Sequence, residues 1–268
     1  MLTDLYSRFG HIESLESLGD FLIPNRSPMF EVDVSVAIAD NPKKLDSLIL
    51  NYSLDFSAKL DQVIFGVSNS ASMTEALLAG FSELTEVTTL ATGQCLAEET
   101  NHLLNGGLKI FRQSTTSNGT TRRRRLKVRK LSEKELLNYA SIEEGPLKES
   151  LDCFTALIAD VPDRVANSQN RIRIELTRTI DSSIDAVPWI VERPLFLHRF
   201  TLDVRGCSRV PMTCQLYPFM ATNETAHLLP LDSGPVAMLN PYGWLYVGQG
   251  MMMTWRPASK NASVLGVN

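Results

Sequence analysis

The segment Phe30-Glu-Val-Asp-Val-Ser-Val-Ala-Ile38 alternates apolar and polar residues without a break. A period of two puts Phe30, Val32, Val34, Val36 and Ile38 on one face, as in a strand with one side in a core and the other in water. Any fold for this chain must bury that face. The same period returns in Arg171-Ile-Arg-Ile-Glu-Leu-Thr-Arg-Thr-Ile180. Residues 62–67, 195–204, 212–220, 244–247 and 251–255 read as further strands, and 85–92 as extended chain. Pro188, Pro194, Pro211, Pro218, Pro230, Pro235, Pro241 and Pro257 punctuate the later ones.

Helical signals crowd the other end. Leu2, Leu5, Tyr6, Phe9 and Ile12, then Leu15, Leu18 and Leu22, predict two short amphipathic helices broken near Gly10. Asp40-Asn41-Pro42 reads as a helix start, with Asn41 as cap and Pro42 in the first turn. Ser72-Met-Thr-Glu75 and Ser132-Glu-Lys-Glu135 are capping boxes, whose Ser and Glu side chains reciprocally satisfy backbone N–H groups; they open helices to 84 and to about 140. A helix over 94–104 is stopped by Asn105-Gly106-Gly107, and another spans 146–159 from Pro146. The expected fold class is therefore α+β. A mixed helix/strand part, 1–160, precedes a mostly antiparallel β part, 161–268, as two domains or one continuous domain. A chain of 268 residues is long enough for either.

The charge is unevenly spread. The net charge is −4, but residues 1–99 hold 5 Lys+Arg against 15 Asp+Glu, whereas 100–132 hold 9 basic residues and no acid. Such a block marks a contact surface for something anionic. It coincides with a hairpin signal: Asn118-Gly119 suits a type I′ turn, which needs positive φ at both central residues. The prediction is a basic β-ribbon at about 108–130, with 108–117 paired to 120–130. Its candidate anion-binding residues are Lys109, Arg112, Arg122, Arg123, Arg124, Arg125, Lys127, Arg129 and Lys130. Alternation puts Arg122 and Arg124 on the side of Leu126 and Val128, and Arg123, Arg125, Lys127 and Arg129 on the other. Cations at strand spacing suit a phosphate backbone or an anionic lipid surface, and arginine can hold phosphate bidentately. The competing readings are a ribbon docked on the acidic N-terminal third, a nuclear-localisation patch at 122–130, and a solvated loop.

Motifs for chemistry are weak. Glu99-Thr-Asn-His102 and Glu224-Thr-Ala-His227 have the spacing of di-iron carboxylate helices, but the chain lacks four long helices and coincidence is the better reading. Cys207 and Cys214 have no second pair, so zinc is not supported. Gly66-Val-Ser68-Asn-Ser70 falls short of a nucleophile elbow, and the glycines 243, 248 and 250 lack the Lys-Ser/Thr ending of a phosphate loop. His11, His102, His198 and His227 are isolated. Met251-Met-Met253, flanked by Trp244 and Trp255, reads as core strand. The sequence therefore nominates no catalytic residue, metal, cofactor or small-molecule substrate.

The four scattered cysteines read as free thiols, and neither a secretory signal nor an apolar run of spanning length is visible. The expected compartment is cytoplasmic or nuclear, not secreted or transmembrane. The expected function is a non-enzymatic, homo-oligomeric binding or assembly protein. Its ribbon would contact nucleic acid, RNA ahead of DNA, or an anionic membrane. Viral matrix, capsid-associated and nucleocapsid-type proteins fit that description. The alternatives are an enzyme with a site assembled from residues such as Glu98, Glu99, His102 and His198, or a protein–protein adaptor.

Overall fold

The alternation holds through β1 (Met29–Asp40) from Val32 onward, but a bulge at Glu31 turns Phe30 to the outer face rather than the buried one expected; three sheets are built around this strand in the computed structural model. It describes residues 29–58, 60–69, 84–90, 94–115, 121–139, 151–161, 170–191, 194–219, 234–240, 242–246 and 249–258. β1 pairs antiparallel with β2 (Ser47–Ala58) and parallel with β11 (Leu195–Gly206). β9 (Asn170–Asp181) adds to β2, β5 (Leu108–Thr115) to β9, and β6 (Thr121–Arg125) closes that edge. β13 (Val236–Leu239) and β14 (Gly243–Leu245) both pair with β11 at the opposite edge, completing eight strands. Strands from both sides of residue 160 thus share one sheet.

A second sheet runs β4 (Leu84–Thr89), β3 (Gln62–Ser68), β8 (Phe154–Asp160), β7 (Arg129–Lys130). The third runs β10 (Ala186–Ile190), β15 (Gly250–Pro257), β12 (Met212–Phe219). One continuous core takes Val34, Val36, Leu54, Phe56, Ile174 and Phe200 from the large sheet. Phe65 and Leu157 of the second sheet and Trp189, Met251, Met253 and Trp255 of the third join it. Trp189 Nε1 donates to Tyr52 Oη at 3.2 Å across that junction. A smaller cluster on the far side of the second sheet buries Ile64, Leu84, Phe154 and Ile158 under Leu136 of helix α2 (Glu133–Tyr139).

Strand accounts for 67% of the structure and helix for 11%, so the fold is mostly β rather than α+β with a helix-rich first part. Two local misreadings explain the correction. Asn41 does not cap a helix; its Oδ1 accepts from the Lys43 N–H at 3.0 Å, an Asx turn that reverses β1 into β2. β2 itself buries Leu48, Leu50, Tyr52, Leu54 and Phe56 at period two, a strand signal as strict as that of β1. Residues 154–160 are strand, not helix: Phe154-Thr-Ala-Leu-Ile-Ala is buried on both faces because β8 lies between β3 and β7. A short apolar run of that kind carries no period to separate strand from helix.

Other expectations hold. Strands form over 62–68 and 84–89, α1 (Leu96–His102) ends in a tight turn with Gly106 at φ +114°, and Met251 and Met253 are core. The capping box at Ser132 forms, with the Ser132 N–H donating to Glu135 Oε2 at 2.8 Å and the Glu135 N–H to Ser132 Oγ at 3.3 Å. The helices expected within 1–22 and over 72–84, save the last residue of the latter, and the start of the one expected from 146 lie outside the described residues; Leu84 itself is the first residue of β4 rather than helix.

Candidate functional site

The basic hairpin is the last two strands of the large sheet. β5 is bound along 108–113 to β9, and β6 pairs with it from Phe111↔Arg125 to Thr115↔Thr121. The Asn118-Gly119 turn expected at its tip lies outside the described residues. The hairpin is also shorter than expected. The Leu126 N–H makes its last bond, to Ile110 O at 2.8 Å, and the chain then leaves for the second sheet.

The nine basic candidates consequently separate into three groups. Lys109 and Arg112 are half-buried on β5, with Lys109 opposite Glu175. Arg122, Arg123, Arg124 and Arg125 are exposed on the edge strand and form no ion pair among the described residues. Lys127 is exposed in the link. Arg129 and Lys130 form β7, and Arg129 is neutralised by Glu135 at 2.8 Å. Arg129 therefore does not share a face with Arg123 and Arg125.

The outer face of the large sheet carries groups that the sequence reading passed over. Asp55 accepts from Arg173 and from Gln113, both at 2.6 Å, and Arg173 also bonds Glu175 at 2.7 Å. Burial works against the Arg173 charge, but the bonds to Glu175 and Asp55 outweigh it and raise its pKa. Asp33 accepts from His198 and Arg199, each at 3.2 Å. His198 is the additional residue of a bulge, since Val32 pairs with Leu197 and Asp33 with Arg199. Glu31, at φ +50°, is displaced by a bulge in β1 and meets Arg171 at 3.4 Å. The alternation of Arg171, Arg173 and Glu175 with Ile172 and Ile174 was the available signal; Glu31 and Asp55, which pair with these arginines, come from strands more than a hundred residues away.

The candidates for scattered chemistry are not gathered. Glu99 meets Arg178 at 3.1 Å, and His102 Nε2 bonds the Thr177 carbonyl at 2.7 Å, so both fasten α1 to β9. Glu98 is exposed. His198 lies on β11, separated from β9 by β1 and β2. Glu224 and His227 lie outside the described residues. Among the described residues no group of three or more His, Cys, Asp or Glu is placed to hold a metal ion, and no helix is long and apolar enough to cross a membrane.

Neither a protein-family model nor a curated protein matches the chain.

Proposed function

We propose that this is a non-enzymatic protein that binds the phosphate backbone of RNA along the arginine edge of its large sheet. The observation that carries the reading is a contrast. Among the described residues, Arg129, Arg171, Arg173, Arg178, Arg199 and Arg205 each pair with a carboxylate, whereas Arg122 to Arg125 are exposed and form no such pair. Unpaired guanidinium groups are the donors that phosphate oxygens recruit most readily, because no internal ion pair must first be broken.

Geometry separates the possible anionic partners. Four consecutive residues of an edge strand form a line about 10 Å long. A line suits a linear polyanion, whereas a membrane is a plane. Duplex DNA fits less well, since a groove reader must be an element free to enter, and β5 is tied to β9.

A competition experiment tests the choice. Labelled single-stranded RNA at low salt should be retained by the protein in the presence of excess phosphatidylserine vesicles and released by excess unlabelled RNA. Displacement by the vesicles alone would transfer the edge to a membrane.

A further inference from the structure

At the opposite end of the same outer face is a cluster of exposed aromatic rings. Trp244 on β14 is 42% exposed and is held edge-to-face by Phe30, at 5.6 Å, and Phe196, at 5.7 Å. Tyr242, 59% exposed, stands edge-on to His198 at 4.6 Å. Glu31 and Tyr242 are the two non-glycine residues with positive φ among the described residues, and they flank this cluster. Strained backbone is retained where the surroundings over-determine it, and ligand clamps are a common setting. Trp244 and Tyr242 thus stay largely in solvent, where burial is the ordinary fate of an aromatic side chain.

The cluster and the arginine edge are joined by strand register. Trp244 pairs with Phe196; Phe196 and Phe30 follow the paired residues Leu195 and Met29. Phe30 pairs with Ser57, Ser57 with Arg171, Arg171 with Gln113, and Gln113 with Arg123. One row thus crosses the sheet from an exposed tryptophan to an exposed arginine, six strand spacings or about 29 Å. The adjacent row runs through Asp33, Asp55, Arg173 and Phe111 to Arg125.

We infer that this face is a binding platform for single-stranded RNA, with unpaired bases stacked on Trp244 and Tyr242 and the backbone led across the sheet to Arg123 and Arg125. The inference rests on the proposed phosphate-binding role of the arginine edge and adds the form of the nucleic acid. Stacking needs open base faces, which a duplex conceals and a single strand presents. The pairing of an aromatic platform with a cationic edge is the chemistry of single-strand binding; an aromatic patch alone would suit many partners.

The chain has three tryptophans, and Trp189 and Trp255 are buried at 8% and 3%, so emission quenched by RNA comes from Trp244. Single-stranded RNA of roughly 16 nucleotides, the same strand with abasic sugars, and the corresponding duplex are titrated against wild type, Trp244→Phe, Trp244→Ala and the variant with Arg122 to Arg125 all changed to Ala. The expected result is quenching by the single strand in wild type and none in Trp244→Phe, which still binds. Trp244→Ala should bind roughly 5- to 100-fold more weakly with an unchanged salt dependence, and the abasic strand and duplex should bind more weakly than the intact single strand. Thermal melting confirms that each variant is folded. Full affinity in a folded Trp244→Ala, or equal affinity for intact and abasic strands, overturns the platform. If the arginine variant alone then loses binding, the phosphate reading stands by itself; if wild type binds no RNA, that reading fails first. A Trp244→Ala protein that changes oligomeric state while keeping its RNA affinity assigns the rings to a protein contact and likewise overturns the inference.

Discussion

Arg112 of β5 and Arg124 of β6 face each other as a registered cross-strand pair in the last hairpin of the large sheet. Directly opposed like charges destabilise a sheet by a few tenths of a kcal/mol up to about 1 kcal/mol. A strand edge gains from charges that deter pairing with other chains, but a lysine or one arginine would serve that purpose. Four in succession, one of them opposing another arginine, is a local conflict of the kind proteins tolerate at binding sites.

Reversing one member of that pair should separate stability from binding. Arg124→Glu is expected to raise unfolding stability by about 0.5 kcal/mol, measured by urea denaturation, while weakening RNA binding. A variant that both binds and melts like wild type would show that the edge arginines carry no such conflict.

The thiols should react in the order of their exposure. Cys95 is exposed, whereas Cys207 and Cys214 are buried, and burial pushes the Cys214 thiol up to about 11. Burial also raises Cys207, with Asp40 adding to it. Alkylation of the native protein at pH 8, read by peptide mass, should label Cys95 within minutes and leave Cys207 and Cys214 unmodified until denaturant is added. Labelling of Cys214 in the native protein would contradict the burial of β12 against the core.

Acid should loosen the start of α2. The Arg129 hydrogen bond, with those from Ser132, holds Glu135 at about 2, below its ordinary 4.5. A carboxyl lowered on folding contributes stability that is present above pH 4.5 and lost as pH falls toward 2. The stability difference between wild type and Glu135→Gln should therefore be largest near neutrality and disappear near pH 2. Ser132→Ala should cost about 1 kcal/mol at neutral pH through the lost cap.

The parallel junction of β1 and β11 should not tolerate a side chain at its end. Gly206 pairs with Ala39, and a Cβ there would lie 2.6 Å from the Ala39 Cβ and 2.9 Å from the Ile38 carbonyl oxygen. Backbone would have to move, so Gly206→Ala should lose roughly 1–3 kcal/mol in thermal or urea unfolding.

Much of this architecture was legible where one face is wet and the other dry. β9 and, from Val32 onward, β1 could be read from alternation alone, and the capping box at Ser132 from its spacing, because each signal lies within a dozen residues. β2 carried the same alternation, but the turn chemistry of Asp40-Asn41-Pro42 pointed to a helix, and Asn41 serves a turn equally well. β8 was illegible because burial on both faces erases the period. The arginine edge was visible as composition, yet its limits were not: Arg129 leaves the hairpin only because β7 finds β8 in another sheet. The platform could not be read at all. Trp244, Phe196, Phe30 and Arg171 are brought into one row by pairings between distant strands, and no local spacing encodes them.

The central claim is that Arg122 to Arg125 contact phosphate, and the salt dependence of RNA affinity tests it most directly. Dissociation constants for single-stranded RNA are measured from about 50 to 200 mM salt, for wild type and for the variant with all four arginines changed to Ala. For single strands, log K falls with log salt in proportion to the phosphates neutralised, so removing four contacts should flatten the slope by roughly 3. The account predicts that flattening, with weaker binding at every salt concentration and an unchanged melting profile. Identical slopes in the two folded proteins would contradict it.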